Sequence, residues 1–151
     1  MRKTNAATGG KLLGLYLHIP FCVKNCASCD FHSVTDASLK ADYTAALIRD
    51  IKAYGERCSG YTVDTVYIGG GTPTSLSAAQ LEQLMSHIAK TFDLAKLDEY
   101  TVEAGRPDCT DAEKLRIIKK YGATRISINP QTMSDKVLEA VGRRHTARQT
   151  V

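Results

Sequence analysis

The chain has 151 residues, with 20 Lys and Arg against 16 Asp and Glu, for a formal net charge of +4. That length allows one domain with a sizeable core, and 43% hydrophobic with 24% charged residues excludes a disordered or fibrous chain. The basic residues are scattered without interleaved aromatics, so nucleic-acid binding is not expected, and the apolar stretches fall short of the ~20 residues that a membrane span needs.

No apolar leader follows Met1, so a cytoplasmic location is expected. Residues 1–11 read as a flexible lead-in, polar and ending in Gly9-Gly10-Lys11. Leu12–Ile19 is apolar enough for a buried strand, which Pro20 closes. The stretch CVKNCASC comes next and is taken up below.

Ser38–Arg57 reads as a helix, with Leu39, Tyr43, Ala46/Leu47, Ile51 and Tyr54 spaced to line one face. Val63–Ile68 is a β-branched and aromatic strand that runs into Gly69-Gly70-Gly71-Thr72-Pro73. Ser77 and Gln80 then form a capping-box pattern, flanked by Leu76 and Leu81 as a hydrophobic staple; Leu84, Met85 and Ile88 continue the apolar face.

Leu97–Ala104 is the third strand candidate. Thr110 and Glu113 repeat the cap pattern before a helix carrying Leu115 and Ile118, with Gly122 as its C′ residue. Ala123–Ile128 is the fourth strand, and Ser134 opens a short helix through Val141, followed by Gly142. Strand, loop and helix thus alternate four times, which implies parallel strands with helical crossovers. The spacings fit either a barrel or an open doubly wound sheet. No G-x-G-x-x-G opens the first helix, which weakens the dinucleotide-binding version. Four units do not close a barrel, so residues 12–151 read as the N-terminal part of a larger domain.

Five cysteines make an odd number, and three of them, Cys22, Cys26 and Cys29, crowd into one loop after the first strand. In a reducing compartment this reads as metal binding or redox chemistry rather than a disulfide framework. Zinc could take the three thiolates and His32, although structural zinc usually joins ligand pairs that are far apart in the chain. A 4Fe–4S cluster suits the spacing differently: three thiolates hold three irons and leave the fourth open to a small molecule. Cys58 and Cys109 stand apart and read as small apolar side chains.

HIPFC, the C-x-x-x-C-x-x-C spacing, GGGTPT, VEAGRPD and ISINPQ together resemble the radical S-adenosylmethionine enzymes. Within them the likeness is to the branch of oxygen-independent coproporphyrinogen III oxidase and its heme-chaperone relatives, from Leu15 to Arg148. The resemblance implies a partial (β/α)6 barrel, an α/β fold with roughly its first four units present. It implies a 4Fe–4S cluster on Cys22, Cys26 and Cys29, whose open iron binds S-adenosylmethionine, and reductive cleavage of that cofactor to a 5′-deoxyadenosyl radical.

The same resemblance assigns the cofactor's contacts. Gly70, Gly71 and Thr72 match the segment at the methionine amino group. Glu103 and Gln131 match residues near the ribose, Arg143 one near the carboxylate, and Tyr16 one near the sulfonium. Each has a plainer reading: a glycine turn, a Glu103 salt bridge to Arg106 or Arg125, a turn amide, a helix C-terminal cation and a packing tyrosine. His18 shares Tyr16's side of the strand and is expected to shape the floor of the site, with His32 at its mouth.

Two departures from the family pattern stand out. Ser28 replaces an aromatic residue before the third cysteine, which leaves Phe31 as a candidate for adenine packing. Phe31 also stands where the oxidase carries a further cysteine. The implied activity is conversion of coproporphyrinogen III to protoporphyrinogen IX, an oxidative decarboxylation, and the alternative is heme binding and delivery. The partners implied are a porphyrinogen or heme and a reductant such as flavodoxin or ferredoxin. A monomer is expected, and the 151-residue piece alone is expected to be inactive.

Overall fold

The computed structural model describes residues 10–25 and 29–151. Strands β1 (Lys11–Ile19), β2 (Tyr61–Gly70), β3 (Glu99–Glu103) and β4 (Arg125–Ser127) form one parallel sheet in the order β1-β2-β3-β4. Each is followed by a helix: α1 (Lys40–Arg57), α2 (Ala78–Thr91), α3 (Ala112–Lys120) and α4 (Asp135–Ala140). A doubly wound sheet reverses its strand order at a switch point, and this one does not. Sequential parallel order is the wall of a β/α barrel, which decides between the two architectures that the sequence left open.

The two sides of the sheet differ in chemistry because strand side chains alternate. Leu17, Ile19, Val66, Ile68, Tyr100 and Val102 are buried on the helix side, in one cluster with Ile51 of α1, Leu81, Leu84, Met85 and Ile88 of α2, and Ile117 and Ile118 of α3. The opposite side carries Tyr16, His18, Tyr67, Thr101, Glu103 and Arg125, which hydrogen-bond among themselves. An apolar side under the helices holds the fold, and the polar side is free to carry chemistry.

The helix starts follow local rules. At α2, Ser77 Oγ accepts from Gln80 N at 3.2 Å and Gln80 Oε1 accepts from Ser77 N at 2.9 Å, the reciprocal capping box, with Leu76 and Leu81 fully buried beside it. Helices α3 and α4 both end in a Schellman motif: Gly122 N and Ala123 N donate to Lys119 O and Ile118 O, and Gly142 N and Arg143 N donate to Glu139 O and Leu138 O. Arg143 is therefore placed by the chain reversal that ends α4.

Several boundaries move relative to the sequence pattern. A 3-10 turn over Ala37–Leu39, capped by Asp36, precedes α1, so the α-helix begins at Lys40 rather than Ser38. Leu39 and Tyr54 stay exposed, and Thr44 is buried in their stead with its hydroxyl on Lys40 O. Helix α3 is capped by Asp111, not Thr110: Asp111 Oδ1 accepts from Lys114 N, whereas the Thr110 hydroxyl is engaged with Thr74 and Arg106 O. Leu115 is exposed and Ile117 takes the core position. Strands β3 and β4 are shorter than their apolar runs, although Ala104 N→Ser127 O and Thr124 N→Tyr100 O extend their pairing beyond the strand limits. Ser134 precedes α4 without a side-chain cap.

Candidate cofactor site

The cysteine loop leaves the carboxyl end of β1, where parallel β/α folds gather their chemistry. Its base is tied to the fold. Val34 N donates to Pro20 O at 2.8 Å and Cys22 N to Val34 O at 3.0 Å, while Phe21 is 1% exposed and meets Tyr43 edge-on. Lys24 O accepts from Arg106 Nη2 at 2.6 Å, which ties the loop to the segment after β3. Cys22 Sγ lies 3.5 Å from Thr72 Oγ1, so the first thiol and the end of the glycine run meet.

Gly70 and Gly71 are needed for close approach. Gly70 has φ +115°, and a Cβ there would lie 2.7 Å from the His18 ring. A Cβ on Gly71 would sit 2.8 Å from Phe21 O and 2.9 Å from Pro20 O, and Gly71 N donates to Ile19 O at 2.8 Å. Main chain therefore packs on main chain here, and the β2 end forms a wall of backbone with no Cβ at Gly70 or Gly71 to hold a ligand off. His18 supports that wall from below and binds Tyr16 Oη through Nδ1 at 2.9 Å.

A cavity of about 590 Å³ opens above these strand ends. Tyr16, Gly70, Gly71 and Thr72 line it from β1 and β2, and Glu103 lines it from β3. Gln131 lines it after β4, Arg143 after α4, and Cys22 and Cys29 from the loop. Cys26 and Ser28 lie outside the described residues. Phe31 lines the cavity, whereas His32 is exposed and is not among the residues that line it. Among the described residues no three His, Cys, Asp or Glu side chains cluster closely enough to hold a metal ion, and a three-thiol set requires Cys26.

Polar groups at the cavity are partly engaged and partly open. Glu103 accepts from Tyr67 Oη at 2.5 Å and from Gly70 N at 3.1 Å, not from the arginines that a salt bridge would have used. Arg125 instead pairs with Glu99 at 3.4 Å. Arg143 Nη1 donates to Gly105 O at 3.2 Å, while its buried Nε has no partner among the described residues. Gln131 has φ +65°, a left-handed conformation that costs a non-glycine residue roughly 1–2 kcal/mol. Burial, followed by the charge of Glu103, pushes the Tyr16 phenol up.

The family model described as the Radical SAM superfamily matches residues 16–151. The chain belongs to the Radical SAM superfamily. Membership implies S-adenosylmethionine and an iron–sulfur cluster as cofactors.

This radical SAM chain is 38% identical over 145 residues to the oxygen-independent coproporphyrinogen-III oxidase-like protein HemZ of Bacillus subtilis, covering 92% of the chain and 29% of that protein. It is 42% identical over 132 residues to the heme chaperone HemW of the same organism, covering 86% and 35%. The structure of coproporphyrinogen III oxidase (HemN) from Escherichia coli, a radical SAM enzyme, matches with a TM-score of 0.80 at 30% identity, over 93% of this chain and 32% of that one. The chain spans about a third of the length of these relatives. Four β/α units in sequential order fit that fold as a part of its barrel.

The donor set fits the implied cofactors. Cys22 and Cys29 are soft ligands on one cavity, and the buried Arg143 Nε is an open donor on the same wall. Sequence reasoning missed Tyr67 as the partner of Glu103, and Arg106 as the residue that holds the loop. Tyr67 stands two residues before Gly69, so strand alternation alone puts both on the cavity side of the sheet. Arg106 lies in the VEAGRPD stretch, but no local pattern marks it as the brace of the loop, for it is 4% exposed and reaches across 82 positions to Lys24.

Of the remaining cysteines, Cys58 borders a separate cavity of about 180 Å³ near the start of β2. Cys109 is half-buried, and burial pushes its thiol up. Among the described residues no helix is long and apolar enough to cross a membrane.

Proposed function

We propose that this chain is the cofactor-holding part of a radical SAM oxidoreductase of the coproporphyrinogen and heme branch. The observation that carries the reading is that one cavity collects every described residue expected to hold the cluster or to contact the cofactor, contributed by all four β/α units and the cysteine loop. Cys22, Cys26 and Cys29 hold the 4Fe–4S cluster. When bound, the cluster supplies the electron that cleaves the sulfonium of S-adenosylmethionine to methionine and a 5′-deoxyadenosyl radical.

The residues of the chain bind and orient that cofactor. Main-chain groups at Gly70 and Gly71, with the Thr72 hydroxyl, receive the methionine amino group. Arg143 directs its guanidinium, whose Nε is free of other bonds among the described residues, to the carboxylate. Glu103 and Gln131 take the ribose hydroxyls, Tyr16 stands by the sulfonium, and Phe31 packs on the adenine. Together they hold the reacting bond in one orientation, the share of catalysis that falls to the protein in cofactor chemistry.

The substrate reading is the oxidative decarboxylation of coproporphyrinogen III to protoporphyrinogen IX, with flavodoxin or ferredoxin as reductant. Electron paramagnetic resonance of the reduced full chain, with and without S-adenosylmethionine, tests the cofactor step; a shifted signal on addition is expected, and an unchanged one overturns it. Incubation with coproporphyrinogen III and reductant tests the substrate.

A second reading is heme binding and delivery. Phe31 favours it by standing where the oxidase pattern has a further cysteine, and so does the 42% identity to a heme chaperone. Stoichiometric heme binding with transfer to an apo-acceptor, without decarboxylated product, is the outcome that selects it.

A further inference from the structure

We propose that Tyr67 is a positioning residue for S-adenosylmethionine, acting through Glu103, and that Gly69 is a glycine so that the Tyr67 ring can cross to that carboxylate. The inference rests on the assignment of Glu103 to the cofactor and adds to it two residues that do not themselves line the cavity.

The geometry comes from the sheet register. Tyr67 pairs with Thr101 and Ile68 with Val102, so Glu103 stands two residues beyond Tyr67's partner on the same side. A diagonal neighbour of this kind lies within reach of an aromatic side chain. The Tyr67 ring runs along the sheet over Gly69, where a Cβ would lie 2.5 Å from Tyr67 Cε1 and 3.1 Å from the Glu103 carboxyl carbon. Any side chain at position 69 displaces the ring, the carboxylate, or both. Gly69 thus serves the tyrosine, while Gly70 and Gly71 serve the cavity wall.

The bonds divide the two carboxylate oxygens. Oε1 accepts from the Tyr67 phenol at 2.5 Å and Oε2 from Gly70 N at 3.1 Å, so the group is fixed from both sides and cannot rotate without losing a donor. An ionised carboxylate has about four acceptor sites, which leaves roughly two for a ligand. A pair of ribose hydroxyls matches two such sites. The Tyr16 ring, 6.0 Å from that of Tyr67 between centroids, flanks the phenol from β1.

The phenol is pushed up to about 12, first by its hydrogen bond to Glu103 and then by burial and the carboxylate charge. Its folded value lies above its ordinary one. The bond therefore stabilises the fold below about pH 10 and is lost as pH rises through about 12.

The test uses the anaerobically reconstituted full-length protein that contains this chain and its Tyr67→Phe, Glu103→Gln and double variants, with S-adenosylmethionine as the probe. Expected for Tyr67→Phe are a roughly tenfold rise in KM for S-adenosylmethionine and in its dissociation constant, with kcat for deoxyadenosine formation within about twofold of wild type and iron and sulfide content unchanged. The double variant is expected to bind no more weakly than Glu103→Gln, since the tyrosine acts only through the carboxylate. In the metal-free protein, Glu103→Gln is expected to bring to lower pH the alkaline phenol transition that Tyr67→Phe removes, followed by absorbance near 295 nm.

Unchanged affinity in Tyr67→Phe beside weakened binding in Glu103→Gln overturns the role of Tyr67 and leaves that of Glu103 standing. Unchanged affinity in Glu103→Gln overturns both. Loss of iron or of thermal stability in Tyr67→Phe, with no change in KM, assigns the residue to the fold and overturns the proposal equally. An alkaline transition that Glu103→Gln does not move overturns the contact itself, whatever the cluster content.

Discussion

The cavity has two halves built by different means. On the strand side, Tyr16, Gly70 and Glu103 sit on a parallel sheet whose other side is buried under three helices, with Gly71 directly after β2, so their places follow from register and alternation. On the loop side, Cys22 and Cys29 hang from a segment anchored at its roots by Phe21 and Val34 and braced at Lys24 by Arg106. Cys29 itself is exposed. The strand half follows from burial of the sheet, whereas the loop half is proposed to be completed by the ligand chemistry of its thiols, as in other sites where metal binding and local folding are coupled. The residues proposed to hold the organic cofactor thus belong to the fold, and those proposed to hold the iron belong to the loop.

Substitutions that fall on one half alone sharpen this contrast. The largest effect is expected for Cys29→Ser. The reconstituted variant should hold less than about a tenth of the wild-type iron and sulfide, because a hydroxyl is a poor substitute for a soft thiolate. The metal-free chain should unfold within about 0.5 kcal/mol of wild type, since an exposed side chain contributes little to folding. Colorimetric iron and sulfide assays beside denaturant unfolding check both statements. A metal-free chain that Cys29→Ser destabilises as much as a core substitution breaks the comparison.

Gly71→Ala is the converse. Its Cβ would meet the main chain of Pro20 and Phe21 at 2.9 and 2.8 Å, atoms that cannot move without disturbing the junction of β1 with the loop. The expected cost is about 1–3 kcal/mol of stability, read as a lower denaturant midpoint, with loss of S-adenosylmethionine affinity alongside. An unchanged midpoint means that the strand half is not held by this contact.

The same division explains what could be read from the chain itself. The α2 start was legible in full because S-L-S-A-A-Q carries its cap, staple and reciprocal bond within a few positions. The four β/α units were legible from hydrophobic period and glycines, and the cysteine loop from thiol density. Sequential strand order was not, since a barrel wall and a doubly wound sheet use the same local signals. The cap at α3 was misplaced by one residue because the Thr110 hydroxyl is claimed by Thr74 and Arg106, contacts no local pattern reveals. Tyr67 and Glu103 are 36 positions apart and meet only through strand register. Local chemistry shows in a sequence, whereas partnerships made across the sheet wait for the fold.

The smallest expected effect separates the halves most cleanly. Ser77 caps α2 just after the turn that carries Thr72 and Ser75, and that turn also holds the loop's base, for Ser75 Oγ donates to Phe21 O at 3.3 Å and Lys40 Nζ donates to Ser75 O at 2.7 Å. Ser77→Ala removes one side of the capping box and should lower stability by ~1 kcal/mol. Gln80→Ala removes the reciprocal side and should cost less, because Ser77 Oγ still satisfies the Gln80 position's backbone N–H. Neither change touches a thiol or the cavity wall, so iron content and S-adenosylmethionine affinity should match wild type. If Ser77→Ala releases iron in proportion to its loss of stability, the loop half depends on the turn through Ser75 and the two halves are one cooperative unit. Intact iron at reduced stability keeps them separate.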